Sequence, residues 1–231
     1  MAVHSRPTLL LTRPRAASER FAEGLDGFDV VIAPLMEIAP TDEPVSLDGI
    51  SALILTSENA VPFLPKSDLP AYCVGPRTAE SATDAGFAAE VVGPNAEGLI
   101  DALIARRPAG PLLHVHGRHT RGDVVGHLQR AGLDARGIAA YAQNQVPAND
   151  ALRRALEQSQ VIVPLFSPRS AALFAEAATE ASENTILFAL SEAVKAALPE
   201  AMQPRTQVIA HPNGAEMRKA LEPFGMRRNS P

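Results

Sequence analysis

Short apolar runs alternate along the chain with longer stretches rich in Ala, Leu and Glu, and many of the runs end in Ser, Thr, Gly or Pro. This alternation is typical of βαβ units, in which helices cover both faces of a buried parallel sheet. Strands are predicted at residues 8–12, 30–33, 52–56, 71–75, 88–92, 112–116, 134–141, 161–166, 185–190 and 207–211. Helices are predicted at residues 16–24, 78–86, 98–106, 121–132, 149–159, 169–181 and 214–224. Gly24, Gly86 and Gly132 stand where helices are expected to end.

Two stretches interrupt this alternation, at residues 34–47 and 140–149. Both contain proline and favour extended chain over helix. About five predicted strands lie between them, which is enough for one doubly wound domain. We therefore predict an α/β fold in which a domain of residues 42–140 is inserted into a discontinuous domain of residues 1–36 and 147–231. The two stretches are predicted to be the crossing segments between the domains.

Composition narrows the class of protein. The net charge is −5, aromatic residues make up 4% of the chain, and Trp is absent, so neither a basic field nor many stacking platforms favour nucleic-acid binding. The single cysteine, Cys73, cannot form an internal disulfide. No apolar run approaches the length of about 20 residues that spans a bilayer, and the N-terminus lacks the pattern of a signal peptide. We expect a cytoplasmic protein that does not bind a membrane.

The strand-end turns are the candidate binding elements, because ligands of doubly wound sheets lie beyond the carboxyl ends of the strands. These turns are rich in hydroxyl groups, and four of them carry Arg although the chain as a whole is acidic. Any single turn is also what helix capping alone produces, so only their shared position is informative. Together they predict a site for a ligand with several carboxylates or phosphates. The candidate substrate-binding residues are Thr12, Arg13, Ser57, Asn59, Gly75, Arg77, Arg118, Ser167, Arg169, Ser170 and Ser191.

Several other chemistries are disfavoured. The chain has no phosphate-binding loop of the G-x-x-x-x-G-K-[ST] type and no G-x-G-x-x-G motif after the first strand, which disfavours a nucleotide cofactor. His114, His116 and His119 raise the possibility of a metal, and the first two share a strand face, but carboxylates with a metal-site spacing are missing. We interpret the histidines as polar strand-end residues and Cys73 as a packing residue, and we predict neither a metal nor a cofactor.

Tyr141 is the candidate acid. It is one of only two tyrosines and stands at the start of the second crossing segment. A phenol remains protonated at neutral pH and can donate a proton or a hydrogen bond to a leaving hydroxyl. The alternative is a tyrosine that packs its ring at a hinge and bonds its hydroxyl locally.

Several short motifs together resemble the uroporphyrinogen-III synthase family, in an order that covers nearly the whole chain. They are LLLTRP at 9–14, APLMEIAP at 33–40, LILTSENAV at 53–61, YCVGPRTAESATDAGF at 72–87, Tyr141 with Pro147, and FSPRSAALF at 166–174. The resemblance implies two flavodoxin-like domains joined by a two-segment linker that forms a two-stranded ladder. It also implies a lyase that closes hydroxymethylbilane into uroporphyrinogen III, with inversion of ring D and loss of water, for porphyrin and heme biosynthesis.

The resemblance further implies roles for single residues. Thr78 and Tyr141 match positions singled out in the family, and the turns at Ser57 and Ser167 match its ligand-facing loops. Residues 190–193 depart from the Gly-Pro/Thr-Thr-Ala turn of many relatives, so Ser191 is predicted from its position after a strand and not from the resemblance. We expect a monomer that receives its substrate from hydroxymethylbilane synthase. The competing functions are a two-lobed sensor that binds a polyanionic small molecule without catalysis, and an enzyme like the sugar-phosphate isomerases.

Overall fold

The computed structural model describes residues 6–120, 122–178 and 184–225. Within these ranges the chain forms eleven β-strands and eight α-helices. The strands are β1 (Thr8–Leu11), β2 (Asp29–Ile32), β3 (Met36–Pro40), β4 (Ala52–Leu55), β5 (Pro70–Val74), β6 (Ala88–Gly93), β7 (Leu112–Gly117), β8 (Ala135–Gln145), β9 (Val161–Leu165), β10 (Thr185–Ala189) and β11 (Thr206–Val208). The helices are α1 (Arg15–Ala22), α2 (Gly75–Asp84), α3 (Ala96–Arg106), α4 (Val124–Arg130), α5 (Asp150–Leu156), α6 (Pro168–Ala177), α7 (Glu192–Ala196) and α8 (Gly214–Gly225). Glu58–Phe63 and Glu200–Arg205 are 3-10 helices.

The chain divides into two compact units. The first unit comprises Met1–Glu37 and Asn144–Pro231, and the second unit comprises Ile38–Gln143. The chain passes from one unit to the other within β3 and within β8. Each unit contains its own sheet, and the sequence prediction of a mixed α/β fold with parallel sheets is confirmed.

The first unit contains a five-stranded sheet in the order β11-β10-β9-β1-β2, with all neighbouring strands parallel. Numbered within the unit, this is the flavodoxin order 2-1-3-4-5. Strand β1 is fully buried because helices cover both faces of a parallel sheet. Leu10 packs into the core beneath α5 and α6, whereas Leu9 and Leu11 pack into the core beneath α1 and α8.

The second unit contains a six-stranded sheet in the order β3-β8-β7-β4-β5-β6. Its five strands from β4 to β8 are parallel and follow the doubly wound order 3-2-1-4-5, with β3 added at the edge. Strand β4 is as apolar as β1 for the same reason. Leu53 and Leu55 pack on the side of α2 and the first 3-10 helix, and Ile54 packs on the side of α3 and α4.

All ten predicted strands are present, and the two crossing segments contribute to the neighbouring strands β3 and β8, in line with the two-stranded ladder that the resemblance implies. The segment 34–47 contains β3, which pairs in the second sheet, and β8 continues to Gln145 through half of the segment 140–149. Within the two segments, residues 36–40 and 140–145 are strand. The predicted strand at 207–211 is shorter, because β11 already ends at Val208.

The predicted helices are present with shifted ends. Helix α4 begins at Val124 because Asp123 caps it, and residue 121 lies outside the described ranges. Helix α6 ends at Ala177, and the predicted residues 179–181 also lie outside these ranges. Helix α7 and both 3-10 helices were missed, the latter because each contains a proline that argues against helix.

The three glycines predicted at helix ends have the left-handed backbone that this position favours, with φ angles of 74°, 102° and 81° at Gly24, Gly86 and Gly132. Every helix within the described ranges falls short of the length and hydrophobicity that a transmembrane segment requires.

Candidate functional site

The strand orders define one switch point in each sheet, and the carboxyl ends of the strands there are termed the first crevice in the first unit and the second crevice in the second unit. In the first sheet β1 and β9 are neighbours, and they lead to α1 and α6 on opposite faces. In the second sheet β4 and β7 are neighbours, and they lead to the 3-10 helix Glu58–Phe63 and to α4 on opposite faces. A ligand crevice of a doubly wound sheet lies at such a point, where the connections diverge. Predicted site residues follow all four of these strands: Thr12 and Arg13 after β1, Ser57 and Asn59 after β4, Arg118 after β7, and Ser167, Arg169 and Ser170 after β9.

At the crevice of the first unit, the Arg13 guanidinium lies over the Phe166 ring, 4.3 Å from its centroid. This cation–π contact fixes the arginine beside the end of β9. Thr12 is buried, and its Oγ1 atom has no hydrogen-bond partner among the described residues. A buried hydroxyl without a partner is destabilising, and it is available to a polar group of a ligand or to water.

The hydroxyl groups of Ser167 and Ser170 are already engaged with each other's backbone. The Oγ atom of Ser167 accepts a hydrogen bond from the Ser170 N–H at 3.1 Å, and the Oγ atom of Ser170 accepts one from the Ser167 N–H at 3.0 Å. This reciprocal pair caps α6. Similarly, the Oγ atom of Ser57 accepts a hydrogen bond from the Asn59 N–H at 3.3 Å. The hydrogen bonds of these serines therefore agree with their interpretation as helix caps, which the sequence left open.

Other predicted turns precede helices that have no side-chain cap. These helices are α1, which follows Arg13, α2, which begins at Gly75, and α7, which follows Ser191. By contrast, the side chains of Asn95, Asp123 and Asn149 cap α3, α4 and α5, respectively. The N–H groups of a first helical turn have no partner within the helix and carry its positive dipole end. Uncapped first turns at α1 and α2 therefore leave donors for an anionic group.

The start of α2 combines several predicted site residues. Gly75 has a φ angle of 71°, a left-handed conformation that favours glycine. Arg77 is exposed, and Thr78 is buried in the first turn with 6% of its surface exposed. Pro76 has no N–H, so the donors of this turn are those of the residues that follow it. The chain therefore places a guanidinium, a hydroxyl and free N–H groups at one helix start.

Tyr141 lies on β8 beside the end of β7 and is only 5% exposed. Its ring stacks with the Phe63 ring at a centroid distance of 6.0 Å and an interplanar angle of 17°. Its backbone carbonyl accepts a hydrogen bond from the N–H of Arg118 at 2.8 Å, so the second crevice brings Tyr141 and the exposed Arg118 together. Phe63 was not predicted as part of this arrangement, because it lies in the 3-10 helix that the sequence did not indicate.

Two histidines lie on β7, the strand that ends at the second crevice. The rings of His114 and His116 lie on one strand face with centroids 4.9 Å apart, as predicted. The Nε2 atom of His114 lies 3.2 Å from the Oγ1 atom of Thr56, and the Nδ1 atom of His116 lies 2.8 Å from the Gly117 carbonyl oxygen. The described residues contain no group of three or more His, Cys, Asp or Glu side chains that could hold a metal ion.

Cys73 packs in the core of the second unit and is fully buried. Burial raises the pKa of the Cys73 thiol to about 11, and a backbone hydrogen bond at Glu90 opposes this only in part. A thiol with such a pKa contains almost no nucleophilic thiolate at neutral pH. The interpretation of Cys73 as a packing residue agrees with this environment.

Comparison with known proteins agrees with this fold. The sequence profile of a family described as uroporphyrinogen-III synthase HemD matches residues 19–217. No curated protein sequence matches the chain significantly. The crystal structure of uroporphyrinogen-III synthetase from Helicobacter pylori has a TM-score of 0.66 at 16% identity, over 94% of this chain and 99% of that chain. A mutant uroporphyrinogen III synthase from the extremely thermophilic bacterium Thermus thermophilus has a TM-score of 0.48 at 15% identity, over 94% and 98% of the two chains. Because the family profile covers most of its length, the chain belongs to the uroporphyrinogen-III synthase family.

Proposed function

We propose that this protein closes the linear tetrapyrrole hydroxymethylbilane into uroporphyrinogen III, with loss of water and without a cofactor. The observation that carries the proposal is the family profile, which matches residues 19–217. The family is one of cyclising lyases in tetrapyrrole biosynthesis. The geometry of the strand ends supports the same reaction, because it supplies donors for a ligand that bears eight acetate and propionate carboxylates.

The reaction needs an acid and a controlled substrate pose. Loss of the hydroxyl from the hydroxymethyl group of ring A, driven by the electron pair of the pyrrole nitrogen, releases water once a proton is supplied and leaves an azafulvenium cation. The substituted carbon of ring D attacks this cation and forms a spiro intermediate. The bond between that carbon and the bridge carbon to ring C then breaks, and the free carbon of ring D attacks the bridge carbon. Loss of a proton from the attacking carbon restores the pyrrole and leaves ring D inverted. Unassisted closure joins the ends directly, so the protein must hold ring D in a different pose.

Carboxylate binding supplies that pose in our proposal. In the first unit the uncapped first turn of α1 provides backbone N–H groups and Arg13 provides positive charge. In the second unit the uncapped first turn of α2 provides N–H groups, and Arg77 and Arg118 provide positive charge after β5 and β7. Donors fixed by the fold orient a flexible polyacid without reorganising during the reaction. Ser57, Asn59, Ser167, Arg169 and Ser170 shape the neighbouring turns, and Ser191 contributes its hydroxyl after β10.

Tyr141 is the proposed acid. Its ring is held against Phe63, yet no described residue forms a hydrogen bond with its hydroxyl. This supports the acid over the alternative of a tyrosine whose hydroxyl is bonded locally. The phenol donates its proton, directly or through water, to the departing hydroxyl of ring A, and the Thr78 hydroxyl binds substrate at the start of α2.

The decisive experiment supplies the purified protein with freshly generated hydroxymethylbilane. The products are oxidised, and isomers I and III are separated by chromatography. We expect mainly isomer III. Formation of isomer I alone, at the rate seen without protein, would refute the activity, and binding of the bilane with an unchanged isomer ratio would identify the protein as a sensor instead.

The cellular setting forms a second part of the proposal. We propose a cytoplasmic monomer whose two units act as domains, with residues 42–140 inserted between 1–36 and 147–231. It receives its unstable substrate from hydroxymethylbilane synthase and serves heme biosynthesis. The acidic composition and the buried Cys73 support a reducing, membrane-free environment. Light scattering coupled to gel filtration tests the oligomeric state, and the mass of a dimer would contradict it.

A further inference from the structure

A β-bulge determines where the Tyr141 side chain points. The register between β7 and β8 pairs His116 with Ala139 but Gly117 with Tyr141, so β8 contains one extra residue, Ala140. Side chains alternate between the faces of a regular strand, and a bulge interrupts that alternation. As a result Ala140 and Tyr141 both belong to the core on the side of α2. Bulges are often found beside active sites, where they redirect a side chain.

Gly117 is the residue that faces the redirected ring. A Cβ atom built on Gly117 would lie 2.7 Å from Cε2, 2.8 Å from Cζ and 3.1 Å from the hydroxyl oxygen of Tyr141. Real Cβ atoms essentially never approach another heavy atom within 3.0 Å. The hydroxyl-bearing end of the ring therefore occupies the space that any side chain at position 117 would need.

The backbone at position 117 does not itself require glycine. Gly117 is not among the glycines with a positive φ angle, in contrast to Gly75. Other crowded glycines, such as Gly27 and Gly93, would clash with backbone atoms, which indicates a purely structural need. At Gly117 the three nearest atoms all belong to one side chain, and that side chain is the proposed acid.

We infer that Gly117 is a positioning residue for the cyclisation, and that its lack of a side chain sets the place of the Tyr141 hydroxyl. This inference rests on the proposed function. The ring is confined by the Gly117 backbone and by its contact with Phe63, so the phenol reaches the bound substrate in a defined orientation. A misplacement of a catalytic group by about 1 Å can lower the rate as much as 100-fold. A methyl group at position 117 that displaced the Tyr141 hydroxyl would therefore slow turnover.

The test is a double-mutant cycle between Gly117→Ala and Tyr141→Phe, with kcat and KM measured on fresh hydroxymethylbilane. We expect Gly117→Ala to lower kcat about tenfold or more and to change KM by less than about twofold. In the Tyr141→Phe background the same substitution should change kcat by less than about twofold, because no hydroxyl remains to be misplaced. Gly214→Ala is the matched control and should leave kcat unchanged, since a Cβ there meets nothing within 4 Å.

A spectroscopic readout follows the ring without reference to activity. The chain has two tyrosines and no Trp, so Tyr141 is the only source of the tyrosine band in near-ultraviolet circular dichroism once Tyr72→Phe is introduced. In that background Gly117→Ala should change the band, and Gly214→Ala should not. An unchanged band would overturn the inference.

A further pair of variants tests whether Gly117→Ala lowers stability through the Tyr141 ring alone. If the Tyr141 ring is the only obstacle, Gly117→Ala combined with Tyr141→Ala should melt within about 2 °C of Tyr141→Ala alone. A much lower melting temperature would show that another neighbour requires the glycine and would overturn the inference. An equal loss of kcat in the presence and absence of the Tyr141 hydroxyl would also overturn it. Both results leave the proposed function intact, which fails only if the unmodified protein yields isomer I alone.

Discussion

The Nε2 atom of His114, within β7, lies 3.2 Å from the Oγ1 atom of Thr56, which directly follows the neighbouring strand β4. His114 is 4% exposed and packs beside the ring of His116. Burial, and secondarily the charge of His116, lowers the pKa of His114 from its ordinary value of 6.5 to about 4. The imidazole is therefore neutral at pH 7, and the ring contributes a hydrogen bond with Thr56 rather than a charge.

This environment predicts a pH-dependent stability. Between pH 6.5 and about 4 the unfolded chain binds a proton at His114 that the folded protein does not bind, so the free energy of unfolding falls as the pH is lowered through this window. The full effect is about 3 kcal/mol. Urea unfolding at several pH values should give a flatter profile for His114→Gln than for the unmodified protein. Identical slopes would show that His114 is not buried as a neutral group.

Tyr141→Phe removes the proposed acid and keeps the ring. We expect turnover to fall about 10-fold to 100-fold without being abolished, because carboxylate binding still orients the substrate. Thr78→Ala should reduce turnover over the same range, since it deletes a hydroxyl in the first turn of α2. The measurement is the initial rate of isomer III formation, with thermal melting to confirm folding. A complete loss of activity in a folded variant would contradict a largely conformational catalysis.

Arg13→Gln removes a charge at the first crevice. A hydrogen bond to a charged group contributes about 1.5–3 kcal/mol, so we expect KM to rise at least about tenfold. Arg15→Gln is a matched control, because Arg15 is two residues away, is exposed and pairs with Glu19 at 3.5 Å. Its KM should stay within about twofold of that of the unmodified protein. If the two substitutions raised KM equally, the effect would come from the overall positive charge and not from a contact between Arg13 and the substrate.

Ser167→Ala and Ser191→Ala separate capping from other roles. Ser167 caps α6 through its hydroxyl, so its substitution should lower the free energy of unfolding by about 1 kcal/mol. Ser191 makes no such hydrogen bond at α7, and its substitution should change that free energy by less than about 0.5 kcal/mol. Urea titration measures both. A larger loss of stability for Ser191→Ala would show that the Ser191 hydroxyl does cap α7.

Cys73 provides a probe of folding. The thiol is fully buried and its pKa is raised to about 11, so thiol reagents should not modify the native protein or inhibit it. Denaturant should expose one reactive thiol per chain. Rapid labelling of the native protein, followed colorimetrically, would contradict the burial of this strand.

The sequence by itself determined most of the elements and the turns between them, although it missed β3, α7 and both 3-10 helices. Continuous apolar runs such as residues 8–11 and 52–55 could be identified as buried strands because each strand lies between helical layers. Glycines at helix ends and Ser or Thr at strand ends follow from local backbone chemistry, which a sequence displays directly. The resemblance of these turns to one family then indicated the activity.

Only the tertiary structure decided which strand ends meet and where their side chains point. Thr56 and His114 lie 58 positions apart, and their contact depends on the strand order of the second sheet. The face of Tyr141 depends on one extra residue in β8, since a shift of one position exchanges the two faces of a strand. Which serines are already engaged as caps also depends on the folded backbone. These features arise from long-range pairing and packing, which local periodicity does not encode.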